Sequence, residues 1–169
     1  FIFMPVFGLM QGVMPIMGYN YGARNKKRLT DALKIGCTIA SVILAAGTLI
    51  FLIIPGKLLQ IFNASAAMLE IGVPAYRIIS ITFVTAAISI MLSTLFQAVG
   101  NGVYSLIVSI LRQLVVILPV AYLLSRIGLA YVWYAFPIAD VTAFLVSLAL
   151  YRRLHAKNIR HLMPISSDA

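Results

Sequence analysis

Polar residues are sparse along this chain, and the long gaps between them carry most of its information. Nearly pure apolar runs occupy residues 1–21, broken only by Gln11 and Asn20, and 35–54, which has no charge. Three more follow at 78–99, where Gln97 is the strongest polar group, at 103–125 around Arg112, and at 128–151 around Asp140. An α-helix needs roughly 20 residues to cross ~30 Å of hydrocarbon, whereas a transmembrane strand needs ~9–11 with alternating polarity. These runs have the helical length and are apolar all round. Backbone groups in lipid must be satisfied within the segment, so the pattern predicts an all-α integral membrane protein. Its five helices form one bundle over 1–152, and a polar tail follows at 153–169.

Composition agrees. The chain has 169 residues, 62% of them hydrophobic and 10% charged, with a mean hydropathy of +1.03. That leaves too little polar surface to cover a water-soluble globule. The net charge of +9 would suggest nucleic acid in a soluble protein. Here, however, the cations sit at run edges and are not interleaved with exposed aromatics, so the partner they imply is membrane lipid and not nucleic acid. Arg24, Lys26, Lys27, Arg28 and Lys34 follow the first run, and Arg152, Arg153, Lys157 and Arg160 follow the fifth. Lys and Arg accumulate in cytoplasmic loops. With alternating helices, loop 24–34 and the carboxyl terminus fall on the cytoplasmic side of a multi-pass cell-membrane protein, and 55–76 lies outside. That outer connection is half apolar, as an interfacial amphipathic helix would be, and it contains the glycosylation triplet Asn63-Ala64-Ser65, a pattern common by chance. The chain begins on Phe1, without Met, and reads as part of a longer protein. Its single Cys37 excludes an intrachain disulfide framework.

On a helical wheel Gly8, Gln11, Gly12, Pro15, Gly18, Tyr19 and Gly22 share one face of the first run. The pairs Gly8/Gly12 and Gly18/Gly22 have the spacing by which membrane helices approach closely. Pro15 frees the carbonyl of Gln11 and bends the helix, and interrupted helices either line midplane binding sites or only pack. Gln11, Pro15 and Asn20 are therefore candidates for a substrate or ion pathway.

Arg112 and Asp140 each lie within a turn of the middle of their runs, which a short turn joins. Counted outward at ~1.5 Å per residue, their depths differ by only ~3 Å, so they can be neighbours. An unpaired charge at the bilayer centre costs ~2.5–3.5 kcal/mol on insertion scales. The alternatives are a structural ion pair and a role in proton or substrate handling, and the sequence leaves both open. Gln97 and Gln113 add neutral hydrogen-bonding groups, Pro119 and Pro137 predict bends, and Tyr131, Trp133, Tyr134 and Phe136 suit an interfacial belt.

In order along the chain stand "PIMGYNYGARNKKR", "FQAVGNG", "SILRQLVVILPVAYLL" and "WYAFPIAD". Together they resemble the carboxyl-terminal lobe of multidrug and toxic compound extrusion (MATE) transporters of the DinF and MepA-like branch. The resemblance implies helices eight to twelve of a twelve-helix protein, whose amino-terminal lobe would be the missing partner. It further implies secondary-active export of small lipophilic, often cationic compounds, coupled to H+ or Na+ and without another cofactor. The run similar to helix ten carries no acid, so the family's ion-coupling residues do not transfer to it. The alternatives are a lipid or oligosaccharide flippase of the same superfamily and a non-transporting membrane subunit. An enzyme is not expected: no nucleotide-binding loop is present, His155 and His161 lie in the tail, and a lone Asp140 makes neither an acid pair nor a metal site.

Overall fold

The computed structural model describes residues 2–160 and residue 162. Among them every regular element is helical. Helix α1 spans Met4–Gly22, α2 Lys26–Ile53, α3 Pro55–Gln60, α4 Ala66–Ser80 and α5 Phe83–Ala98. Helices α6, Gly102–Ile110, and α7, Leu118–Ser125, are joined by a π-helical stretch, Leu111–Ile117. The short α8, Leu129–Val132, precedes α9, Ala135–Leu154, which runs on into a π-helical turn, His155–Ile159.

Each of the five predicted runs holds a helix among its described residues, but the boundaries move for physical reasons. Helix α2 starts in the basic segment, because Asn25 caps it by accepting a hydrogen bond from the backbone of Arg28 at 3.1 Å. The predicted run 78–99 is divided: residues 78–80 end α4, and α5 leaves at an angle of 53°. The connection after the second run holds two helices, α3 and the amphipathic α4. The last helix continues past 152, since no Gly or Pro in 153–159 breaks it, while His161 lies outside the described residues. By length and composition Lys26–Ile53, Gly102–Ser125 and Leu129–Ile159 can each cross a membrane, and the bent pair α4 and α5 makes a fourth. Helix α1 is not among them, its apolar run being diluted by Gln11, Asn20, prolines and glycines, so the count of five is approximate.

Helix α5 is the centre, packing against α1, α2, α6 and α9. It can do so because it buries on several sides, with Phe83, Ala87, Met91, Leu95 and Phe96 all nearly inaccessible. Its neighbours present faces with buried small residues, at strict four-residue spacing on α9 and interleaved with leucines on α2. Helix α9 buries Ala135, Ala139, Ala143 and Ser147, and α2 buries Leu29, Leu33, Gly36, Ala40, Leu44 and Gly47. Dispersion contacts, not hydrophobicity, hold membrane helices together, so close approach by small residues is what such a core needs. A methyl group on Gly36 would sit 3.1 Å from the Met91 sulfur.

The bend between α4 and α5 contains neither Gly nor Pro. Hydroxyls bond the backbone oxygens around it: Thr48 donates to the Ser80 carbonyl at 2.9 Å, and Thr85 to that of Thr82 at 2.8 Å, which also accepts from the Ala86 N–H. Interrupted helices survive in lipid only when such groups are re-satisfied. Pro119 stands at the start of α7, directly after the π-helical stretch, where a wider turn accommodates its missing N–H. Pro137 lies in the first turn of α9, four residues after Trp133, where the fifth run is interrupted between α8 and α9.

Candidate functional site

The angle at Thr82 builds the centre of the lobe. Its hydroxyl donates to one carboxylate oxygen of Asp140 at 2.9 Å, and the Nη2 of Arg112 meets the other at 2.7 Å. Three elements thus converge on one acid: the α4–α5 break, the π-helical stretch and α9. The small stripe of α9 brings Asp140 close enough to be reached. The Asp140 side chain is 5% exposed and that of Arg112 32%, so the carboxylate is enclosed and the guanidinium faces outward. The neighbourhood of Arg112 and Asp140 expected from depth is therefore present; Thr82 was not singled out by the sequence.

Beside this pair opens a cavity of about 420 Å³ between α1, α5, α6 and the π-helical stretch. Phe7 and Met10 contribute its apolar side. Its polar side comes from two ladders with four-residue spacing: Ser89, Ser93 and Gln97 on α5, and Ser105, Ser109 and Gln113 on the facing helix, with Arg112 beside the last. The ladders touch where the Gln97 amide donates to the Ser105 hydroxyl at 2.8 Å. Among the described residues, the Oγ of Ser89 and the Nε of Arg112 are buried without a hydrogen-bond partner.

Of the predicted pathway residues, Gln97, Arg112 and Gln113 line this cavity, and Asp140 stands behind Arg112. Gln11 and Pro15 do not line it; they lie on the exposed face of α1. Asn20 is buried but bonded to its own helix, donating to the Ile16 carbonyl at 2.8 Å. Within the described residues the glycine stripe meets a neighbour at one position. A methyl group on Gly18 would sit 3.3 Å from the Ala98 carbonyl, whereas Gly8, Gly12 and Gly22 have nothing within 4 Å among the described residues. Their face points away from the bundle. The serines went unnoticed in the sequence because Ser is common in apolar helices; the available signal was their recurrence every fourth residue on two adjacent runs.

At one end of the bundle the Asn158 amide donates to the Tyr21 hydroxyl at 3.4 Å, and a cleft is lined by Asn101, Tyr104, Arg153, Lys157 and Asn158. The first basic loop, the α5–α6 turn and the end of α9 therefore share that end.

The family model described as MatE matches residues 1–123. The chain belongs to the MatE family. The multidrug export protein MepA of Staphylococcus haemolyticus (strain JCSC1435) is 28% identical over 148 residues, covering 86% of this chain and 32% of the relative. The solved MATE multidrug transporter DinF-BH superposes with a TM-score of 0.84 at 33% identity, over 96% of this chain and 36% of that one. A MOP superfamily transporter from Pyrococcus furiosus Vc1 (DSM3638), for which a binding pocket of reverse polarity suggests a different function, gives 0.84 at 26% identity over 94% and 36%. The chain spans about a third of the length of the relatives it matches.

Proposed function

We propose that this chain forms the carboxyl-terminal lobe of a secondary-active multidrug exporter. Such a protein moves lipophilic, often cationic compounds outward against an inward flow of H+ or Na+. The observation that carries the reading is the part-polar cavity beside the Arg112–Asp140 pair, in a chain whose relatives export drugs. Membrane transporters bind where such groups face a bundle interior or a water-filled space. Loop 24–34 and the carboxyl terminus face the cytoplasm, supported by their shared end and their cations.

The reading is tested with the complete polypeptide that carries this chain. Cells producing it should extrude the cationic dye rhodamine 6G, and collapse of the proton or sodium gradient should stop extrusion. Retention of dye at normal protein levels would reject the exporter. For orientation, a membrane-impermeant thiol reagent added outside should label Asn63→Cys and spare Asn158→Cys; the reverse pattern would invert the topology. A flippase for anionic lipids is the second reading, favoured by a cavity lining that holds a guanidinium and, among the described residues, no carboxylate.

A further inference from the structure

The polar side of the 420 Å³ cavity holds one group that can only donate, Arg112, among hydroxyls and amides that can donate or accept. Arg112 brings a guanidinium whose Nε is buried and unpartnered among the described residues. The Ser89 hydroxyl, on a residue only 7% exposed, is also unpartnered. Ser93, Ser109 and Gln113 add further groups able to donate. Asp140 does not line the cavity and is turned to Arg112 and Thr82, one at each oxygen, and the lining itself contains no carboxylate among the described residues. The ion pair is therefore oriented, with its acid enclosed and its cation turned to the open side. Unsatisfied buried donors are costly, so a ligand that supplies several acceptors to this wall is favoured over one that supplies positive charge.

We propose that the cavity binds the anionic group of an amphiphile, a carboxylate, sulfonate or phosphate. Its oxygens accept from Arg112, Ser89 and Gln113, and its apolar body lies against Phe7 and Met10. Guanidinium suits planar and tetrahedral oxyanions because its N–H groups form a fixed fork and remain charged. The inference rests on the transporter reading and names a substrate class for it; a cationic group of a substrate finds no countercharge on this wall. The source of the oxyanion is either a lipid headgroup or a free compound.

The test uses two dyes on one xanthene framework, anionic fluorescein and cationic rhodamine 6G, titrated by fluorescence anisotropy. The complete protein is held in phosphatidylcholine nanodiscs. Fluorescein should bind, and the double variant Arg112→Gln with Asp140→Asn, which removes both charges together and so avoids a stranded ion, should weaken it by about tenfold or more, the effect of losing one charge-assisted contact. Gln113→Leu, at an accessible lining position, should weaken it several-fold. Asp140→Asn alone leaves the guanidinium unopposed and should tighten it. Rhodamine 6G should not follow this pattern; parallel changes in both dyes would show a general effect on the cavity and overturn the oxyanion site. Fluorescein affinity unchanged in both the double variant and Gln113→Leu would overturn the site. Displacement of fluorescein by added phosphatidylglycerol would support the site with a lipid as its source, and persistence would support it with a free amphiphile. Export is a separate arm: loss of rhodamine 6G extrusion sinks the exporter reading and leaves these binding results standing, whereas intact extrusion without the fluorescein response sinks the oxyanion site alone.

Discussion

At Asp140 the energetics depend on how many partners remain after a change. A buried charge that loses its partner costs ~3–5 kcal/mol, whereas an intact pair is worth little more than packed apolar groups of similar volume. Asp140→Leu leaves Arg112, 32% exposed, without its partner and should therefore lower the stability of the complete protein in detergent by up to that amount. Adding Arg112→Leu should recover much of the loss; a double variant no more stable than the sum of its singles would reject the structural pair. Thr82 offers a finer probe. Its hydroxyl bonds one carboxylate oxygen at 2.9 Å, and hydrogen bonds to charged groups contribute ~1.5–3 kcal/mol. Thr82→Val, which keeps the shape and removes the donor, should cost within that range, while Thr82→Ser should cost much less; equal losses would mean that the methyl contacts matter and the bond does not. Arg24 shows the same economy of local chemistry. It closes α1 in the left-handed region at φ 53°, where glycine avoids a steric penalty of roughly 1 kcal/mol.

The element scale shows why the sequence disclosed part of the site and hid the rest. Long apolar runs declare helices because lipid permits little else, and the matched depths of Arg112 and Asp140 follow from helical rise alone. The bend at 81–82 was not legible, since no Gly or Pro marks it; the hydroxyls of Thr48, Thr82 and Thr85 that stabilise it belong to residue types also found throughout straight helices. The contrast between the glycine stripe of α1 and the small stripe of α9 has the same origin. Spacing reveals a face on which a helix can approach, but not whether this chain supplies the helix. For α9 it does. Ala139 is fully buried beside Asp140, so Ala139→Leu should push α9 from its neighbours and strain the contacts of Thr82 and Arg112 with the acid. Overpacking of this kind typically costs ~1–3 kcal/mol. Thermal unfolding in detergent measures it, and an Ala139→Leu variant as stable as the parent would show that the α9 interface has slack that its small residues do not require.

For the whole molecule, the exposed face of α1 poses the last problem. Gly8, Gln11, Gly12, Pro15 and Tyr19 all lie on the outside of this bundle, and α1 lacks the apolar content of the other membrane-crossing helices. Small and polar groups make poor contacts with lipid tails, and Gln11 would carry the cost of an unpaired amide there. The relatives are about three times as long as this chain, and alternating access in such proteins rocks one repeat against another around a shared site. A face of glycines and one glutamine suits that moving boundary, since it allows close approach in one state and hydration in another. Gly12→Leu tests this because nothing among the described residues lies within 4 Å of that position. In the complete protein, stability should change by no more than about 1 kcal/mol, the helix-propensity difference alone, while rhodamine 6G efflux should fall several-fold because the bulkier side chain blocks approach. Gly12→Ala, with the smallest possible addition, should retain most of the efflux. Full efflux by Gly12→Leu at normal protein levels would show that the face meets lipid or open water in every state, and would remove α1 from the boundary between lobes.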